Sequence, residues 1–133
     1  MRILCLDFDG VLHSYKSGWQ GPRNIPDPPV DGAIKWLNSL FVEIDQSFID
    51  YWEIEYKSDF DVQIYSSRSQ YWGGRKAMKR WLLKWGLSPY IIKLIRFPKK
   101  KPAAFLTIDD RAICFDGNFP STETILNFKP WYK

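Results

Sequence analysis

Residues 5–14 read CLDFDGVLHS. Two acids, Asp7 and Asp9, close an apolar run, and Gly10 follows at once. A carboxylate at the end of a buried segment is costly unless a metal ion, a nearby cation or solvent compensates it. Two further apolar runs end in polar residues of the same kind. One leads into Ser66-Ser67-Arg68, the other into Asp109-Asp110-Arg111. In open α/β sheets, ligands bind beyond the carboxyl ends of the strands. Parallel pairing would therefore gather Asp7, Asp9, Asp109 and Asp110 into one crevice. Carboxylates that close together repel one another strongly. A hard divalent cation with oxygen ligands resolves the repulsion, and magnesium is the obvious choice.

The elements that must position these groups follow from periodicity. Ile3–Asp7 is apolar on both faces, the pattern of a central parallel strand. Val62–Tyr65, Ile91–Phe97, Phe105–Ile108 and a short Ala112–Phe115 are the other expected strands. A helix opening near Asp31 would carry Ile34, Leu37, Leu40 and Phe41 on one face. Residues 46–57 are amphipathic and are assigned to a further helix. Arg75–Trp85 is a strong helix stopped by Gly86, and Ser121–Asn127 is a last helical turn. Residues 11–30, with four prolines, form an ordered but irregular flap. Strands alternating with helices predict an α/β fold: a Rossmann-like three-layer sandwich in which helices cover both faces of a parallel sheet.

Length and composition bound the answer further. A chain of 133 residues suggests one domain, 1–133, with enough length to bury a real core. No apolar run reaches membrane-spanning length, and the first ten residues meet acids too soon for a signal peptide. A cytoplasmic location is expected by default. Cys5 and Cys114 both sit in apolar runs and are read as buried thiols, not a disulfide. There is no CxxC, and His13 is the only histidine, so zinc has no support. The net charge of +4 fits an anionic partner as well as it fits ordinary solubility. The excess is uneven: residues 75–101 carry lysines and arginines and no acid, which favours a phosphate-rich partner.

Asp7-Phe8-Asp9-Gly10-Val11 resembles the first motif of the haloacid dehalogenase superfamily of phosphohydrolases. Ser66 resembles the second motif, a lysine ahead of the last strand the third, and Asp109-Asp110 the fourth. The order and spacing agree, across residues 7–110. The resemblance implies a nucleophile, Asp7, that forms an aspartyl-phosphate. It implies that Asp9 protonates the leaving oxygen and then deprotonates water. Magnesium would be held by Asp7, the backbone carbonyl of Asp9, and Asp109 or Asp110. Ser66 would hydrogen-bond the transferring group. Lys101 would neutralise charge, with Lys99 and Lys100 as alternatives.

The resemblance also bears on the substrate. Members usually carry a cap domain, and here there is room only for the flap and for residues 43–60, which read as an ordinary helix extension more than as a modest lid or an interface. An uncapped site suits a large substrate or one covered by a partner subunit. Ser66-x-Arg68 and Asp109-Asp110-Arg111 are similar to the phosphatase half of phage polynucleotide kinases. That likeness implies a small phage or bacterial type of enzyme acting on a nucleotide or nucleic-acid end. Arg68 would grip the substrate phosphate or pair with one of the acids. Trp19 would stack on a base and Arg23 would meet a phosphate, or both would anchor the flap. Ser67 and Gly10 complete the expected substrate-binding set. His13 lines the pocket or is an ordinary loop histidine. Phosphatases of other small esters such as sugar phosphates, a phosphotransferase, and a non-catalytic binding module are the competing readings.

Overall fold

A computed structural model describes residues 1–44 and 55–133. Its centre is an open, parallel, three-stranded sheet. Strand β1 (Arg2–Leu6) lies between β4 (Phe60–Ile64) and β5 (Leu106–Ile108). In register, Leu4 sits beside Val62 and Leu106, and Leu6 beside Ile64 and Ile108. These side chains share one face, because neighbours in register point the same way. Leu4, Leu6, Val62 and Ile64 are buried there, with Phe8 and Leu12 beyond the strand. Burying each large apolar side chain contributes roughly 1.5–3 kcal/mol.

The helices complete that core. Helix α1 (Ala33–Ser39) contributes Ala33 and Leu37, and Phe41 follows it inward. Helix α2 (Gly74–Lys84) turns Met78, Trp81 and Leu82 inward, a three-to-four-residue spacing that keeps them on one face. Its end is a glycine stop. Gly86 takes φ +98°, its N–H donates to the Leu83 carbonyl, and the Leu87 N–H donates to the Leu82 carbonyl. The paired bonds satisfy the last carbonyls, and Leu87 packs back into the core beside Leu82.

Several expected elements take other forms. Most of 91–97 is not a strand. Pro89–Ile92 is a short helix, α3, begun by Ser88, whose hydroxyl accepts from the Tyr90 N–H at 3.2 Å. A serine cap followed by proline at the first helical position starts a helix, and this local signal overrides the apolar run. Only Arg96 joins the sheet, exchanging backbone hydrogen bonds with Val62 and Ile64. Ala112–Phe115 forms no strand either. The Arg111 N–H donates to Asp109 Oδ1 at 3.0 Å, a local turn that bends the chain away from the edge of β5. Cys114 is consequently exposed, while Cys5 is buried as expected.

Of the expected helix at 46–57, residues 46–54 lie outside the described residues. Tyr56–Lys57 is instead a two-residue strand, β3, paired antiparallel with β2 (Val42–Glu43). The expected final turn is present as α4 (Thr122–Leu126), capped by Ser121. No helix among the described residues is long and apolar enough to cross a membrane.

Candidate active site

The three strands of the sheet deliver their acids and serine to one end. Asp7 directly follows β1, and its N–H donates to the Ile108 carbonyl at 2.9 Å. Asp109 and Asp110 directly follow β5. Ser66 lies two residues past β4 and caps a short 3-10 turn, Ser67–Gln70. There the Ser66 hydroxyl accepts from the Arg68 N–H, and the Ser69 hydroxyl accepts from the Ser66 N–H. The meeting point is a cavity of about 320 Å³, lined by Asp7, Asp9, Ser66, Ser67, Lys101, Asp109 and Asp110 together with Tyr15, Arg111 and Tyr132. Among Lys99, Lys100 and Lys101, only Lys101 lines it.

Carboxylate oxygens of Asp7, Asp109 and Asp110 lie within 4.8 Å of one another. Burial first, then the hydrogen bond with Asp110 and the charge of Asp109, push the Asp7 carboxyl up to about 9. The Phe8 N–H, which donates to Asp7 Oδ1 at 2.8 Å, pulls in the opposite direction. A divalent cation would displace that proton and cancel the repulsion. The donors suit magnesium. They are all hard oxygens, and the nearby Cys5 thiol is pushed up by burial and so stays protonated.

Asp9 is held differently. Its side chain is not one of the three clustered acids. Its carboxylate is gripped by Arg68, whose Nε donates to Oδ2 at 2.9 Å and whose second terminal nitrogen donates to Oδ1 at 3.1 Å. His13 adds a bond from Nδ1 to Asp9 Oδ1 at 2.8 Å. The backbone N–H of Asp27 donates to His13 Nε2 at 3.1 Å. An amide N–H only donates, so Nε2 holds the lone pair and Nδ1 the proton. The histidine is therefore neither a pocket wall nor an ordinary loop residue. It is wholly buried against Phe8 and Trp81 and orients Asp9. Burial pushes Asp27 up, but hydrogen bonds from the Ser17 hydroxyl and N–H, with His13 and Lys16 nearby, leave it below the ordinary carboxylate range.

Three residues expected to contact substrate meet other partners in this geometry. Arg68 is fully buried, and its remaining terminal nitrogen donates to the carbonyls of Gly21, Pro22 and Asn24. It binds the flap to Asp9 and does not face the cavity, so the ion-pair reading is the one that holds. Arg23 stacks over Trp72 with its guanidinium 5.4 Å from the ring centre and is not part of the cavity wall. Gly10 is a packing position. It takes φ +83°, and a Cβ there would collide with the Asp110 carboxylate and stand 2.7 Å from Tyr132 Cε1. Trp19 leans on Arg68 and borders a second groove of about 610 Å³, lined also by Tyr15, Lys16, Arg111, Trp131 and Lys133. Ser14 borders this groove too, and its buried hydroxyl has no partner among the described residues.

Sequence reasoning missed Tyr15, Trp131 and Tyr132. Trp131 donates from its indole nitrogen to the Gly10 carbonyl at 2.8 Å, and the Tyr132 hydroxyl donates to Asp110 Oδ2 at 2.8 Å. Tyr15 stands edge-on to Tyr132 in a left-handed conformation, φ +60°. Its place in the proline-rich flap was a cue that the turn is shaped; the contacts of residues 131 and 132 leave no local signal. No protein-family model, curated protein or solved structure significantly matches this chain.

Proposed function

We propose that this chain is a magnesium-dependent phosphohydrolase of the haloacid dehalogenase type, on a Rossmann-like framework with a minimal cap domain or none. The observation that carries this reading is the clustering of Asp7, Asp109 and Asp110 within 4.8 Å, in one cavity with Ser66 and Lys101. Asp7 would attack the phosphorus and break its bond to the leaving oxygen, forming an aspartyl-phosphate. Asp9 would give its proton to that oxygen. Among the described residues its Oδ2 accepts from Arg68 Nε alone, whereas Oδ1 accepts from Arg68 and His13, which leaves Oδ2 the less engaged oxygen. Asp9 would then take a proton from water as water attacks phosphorus, releasing phosphate and restoring Asp7. Ser66 would hold a phosphoryl oxygen, and Lys101 would balance the charge that develops on it. Bound magnesium, held by Asp7, the Asp9 carbonyl and the Asp109-Asp110 pair, would polarise the phosphoryl group.

The substrate we favour is a nucleotide or nucleic-acid end handled in the cytoplasm. The second groove adjoins the cavity through Tyr15, Arg111 and Tyr132, and it combines three cations with indole and phenol rings. Cations suit phosphates and aromatic faces suit bases. The test is magnesium-dependent phosphate release from nucleoside 3′- and 5′-monophosphates, 3′-phosphorylated oligonucleotides and sugar phosphates, with Asp7→Asn as the control. Release that needs both magnesium and Asp7 supports the chemistry. A preference for sugar phosphates would overturn the substrate assignment alone, and activity that survives Asp7→Asn would overturn the mechanism.

A further inference from the structure

Asp110 is the more enclosed of the two clustered acids that follow β5, with a side chain only 3% exposed, while Asp109 beside it is open to solvent. The difference comes from residues 130–133. Pro130 is buried, the Lys133 N–H turns back to the Pro130 carbonyl, and Trp131 and Tyr132 project from this turn toward the site. Trp131 ties the turn to the Gly10 carbonyl, in the loop that carries Asp7 and Asp9. Tyr132 ties it to Asp110 Oδ2, beyond β5. Gly10, Asp110 and Tyr132 are in mutual contact, since any Cβ at position 10 would strike both of the others. One short strap therefore joins the two loops whose acids must converge on a cation.

We propose that Tyr132 is a positioning residue of the cation site: its hydroxyl fixes the rotation of the Asp110 carboxylate, and Trp131 holds the strap in place. The inference rests on the phosphohydrolase reading above and adds to it a residue that none of the four motifs contains. The physical basis is general. A carboxylate that ligates a metal rotates freely unless an outer hydrogen bond holds it, and loss of such a bond weakens metal binding by about 10- to 100-fold. Arg111 does not replace the phenol, because its Nε stands 3.9 Å from the same oxygen and its terminal nitrogen lies at 3.4 Å from the Tyr132 hydroxyl. Tyr132 also borders both the cavity and the adjoining groove, so the same residue that sets the acid walls the space beside it.

The experiment titrates the full chain with magnesium by calorimetry and with manganese by electron paramagnetic resonance. The proteins are wild type, Tyr132→Phe, Trp131→Phe and Asp110→Asn. Tyr132→Phe removes one oxygen and keeps the ring. The expected result is affinity about tenfold or more below wild type for Tyr132→Phe, with a smaller loss for Trp131→Phe. Phosphate release by Tyr132→Phe should recover as magnesium is raised, which a purely structural defect would not do. Affinity within about twofold of wild type in Tyr132→Phe, with Asp110→Asn impaired, overturns the inference and leaves the phosphohydrolase reading standing. Wild type that binds neither cation overturns both.

Discussion

Arg68 and Asp9 form a two-pronged ion pair at the centre of the site, with Nε 2.9 Å from one carboxylate oxygen and a terminal nitrogen 3.1 Å from the other. The guanidinium is fully buried, and its other terminal nitrogen donates to three flap carbonyls. Replacing it strands a buried acid and leaves those carbonyls without a donor. Arg68→Ala should lower stability by roughly 3–5 kcal/mol. Arg68→Lys should recover little of that, because an ammonium cannot present the same planar fork. Urea unfolding of the three proteins checks this, and a loss below about 1 kcal/mol for Arg68→Ala would show that the pair is not structural.

The raised Asp7 carboxyl makes the metal-free protein sensitive to pH in a definite direction. Folded Asp7 holds its proton up to about pH 9, whereas the unfolded chain releases it near 4. Between those values the unfolded state gains charge that the folded state cannot accommodate. Stability from this group is therefore full below about pH 4 and is lost as pH rises toward 9. In chelator, the melting temperature should fall across that window, and magnesium should reverse the fall. Asp7→Asn should flatten the profile and raise metal-free stability at pH 8 by on the order of 1–2 kcal/mol. A melting curve in chelator that is as pH-dependent in Asp7→Asn as in wild type would place the effect elsewhere.

Of the three consecutive lysines, Lys101 alone reaches the cavity wall. Lys101→Ala should lower phosphate release by about 10²- to 10³-fold, the usual cost of removing one donor aimed at developing charge. Lys99→Ala and Lys100→Ala should stay within about twofold, as exposed charges distant from the chemistry do. Steady-state kinetics on a single substrate separates the three, and equal losses would mean that the run acts through its overall charge.

Gly10 combines a left-handed backbone with close approach to Asp110 and Tyr132. Gly10→Ala should cost about 1–3 kcal/mol from backbone strain, with further loss from displacement of Asp110. Thermal unfolding with and without magnesium tests both parts: the variant should gain less from the cation than wild type does.

Most of the groups expected to do chemistry were legible because strand ends are legible. Asp7, Ser66 and the Asp109-Asp110 pair each follow an apolar run, and a parallel sheet must bring such ends together. The helix Gly74–Lys84 was nearly complete from its spacing and its closing glycine. The apolar run near Ile91 was misleading, because composition cannot rank a short strand against a short helix. The Ser88-Pro89 cap decided it. Cys114 looked buried for the same reason: hydrophobic runs are also found on the surface when no edge receives them.

What the amino-acid order determined by itself was the set of acids and their attachment to strand ends. What only the tertiary structure decided was which cations and hydrogen bonds those acids meet inside the protein. Arg68 could as well have faced a substrate, and it was the flap's carbonyls that turned it inward. Tyr132 could have been an unremarked surface residue, and it was the turn at Pro130 that set its hydroxyl on Asp110. Local sequence specifies backbone preference and periodicity, whereas contacts such as Trp131 to Gly10 join residues 121 apart along the chain. Such contacts are selected by packing across the whole molecule and leave no periodic trace in the segments that make them.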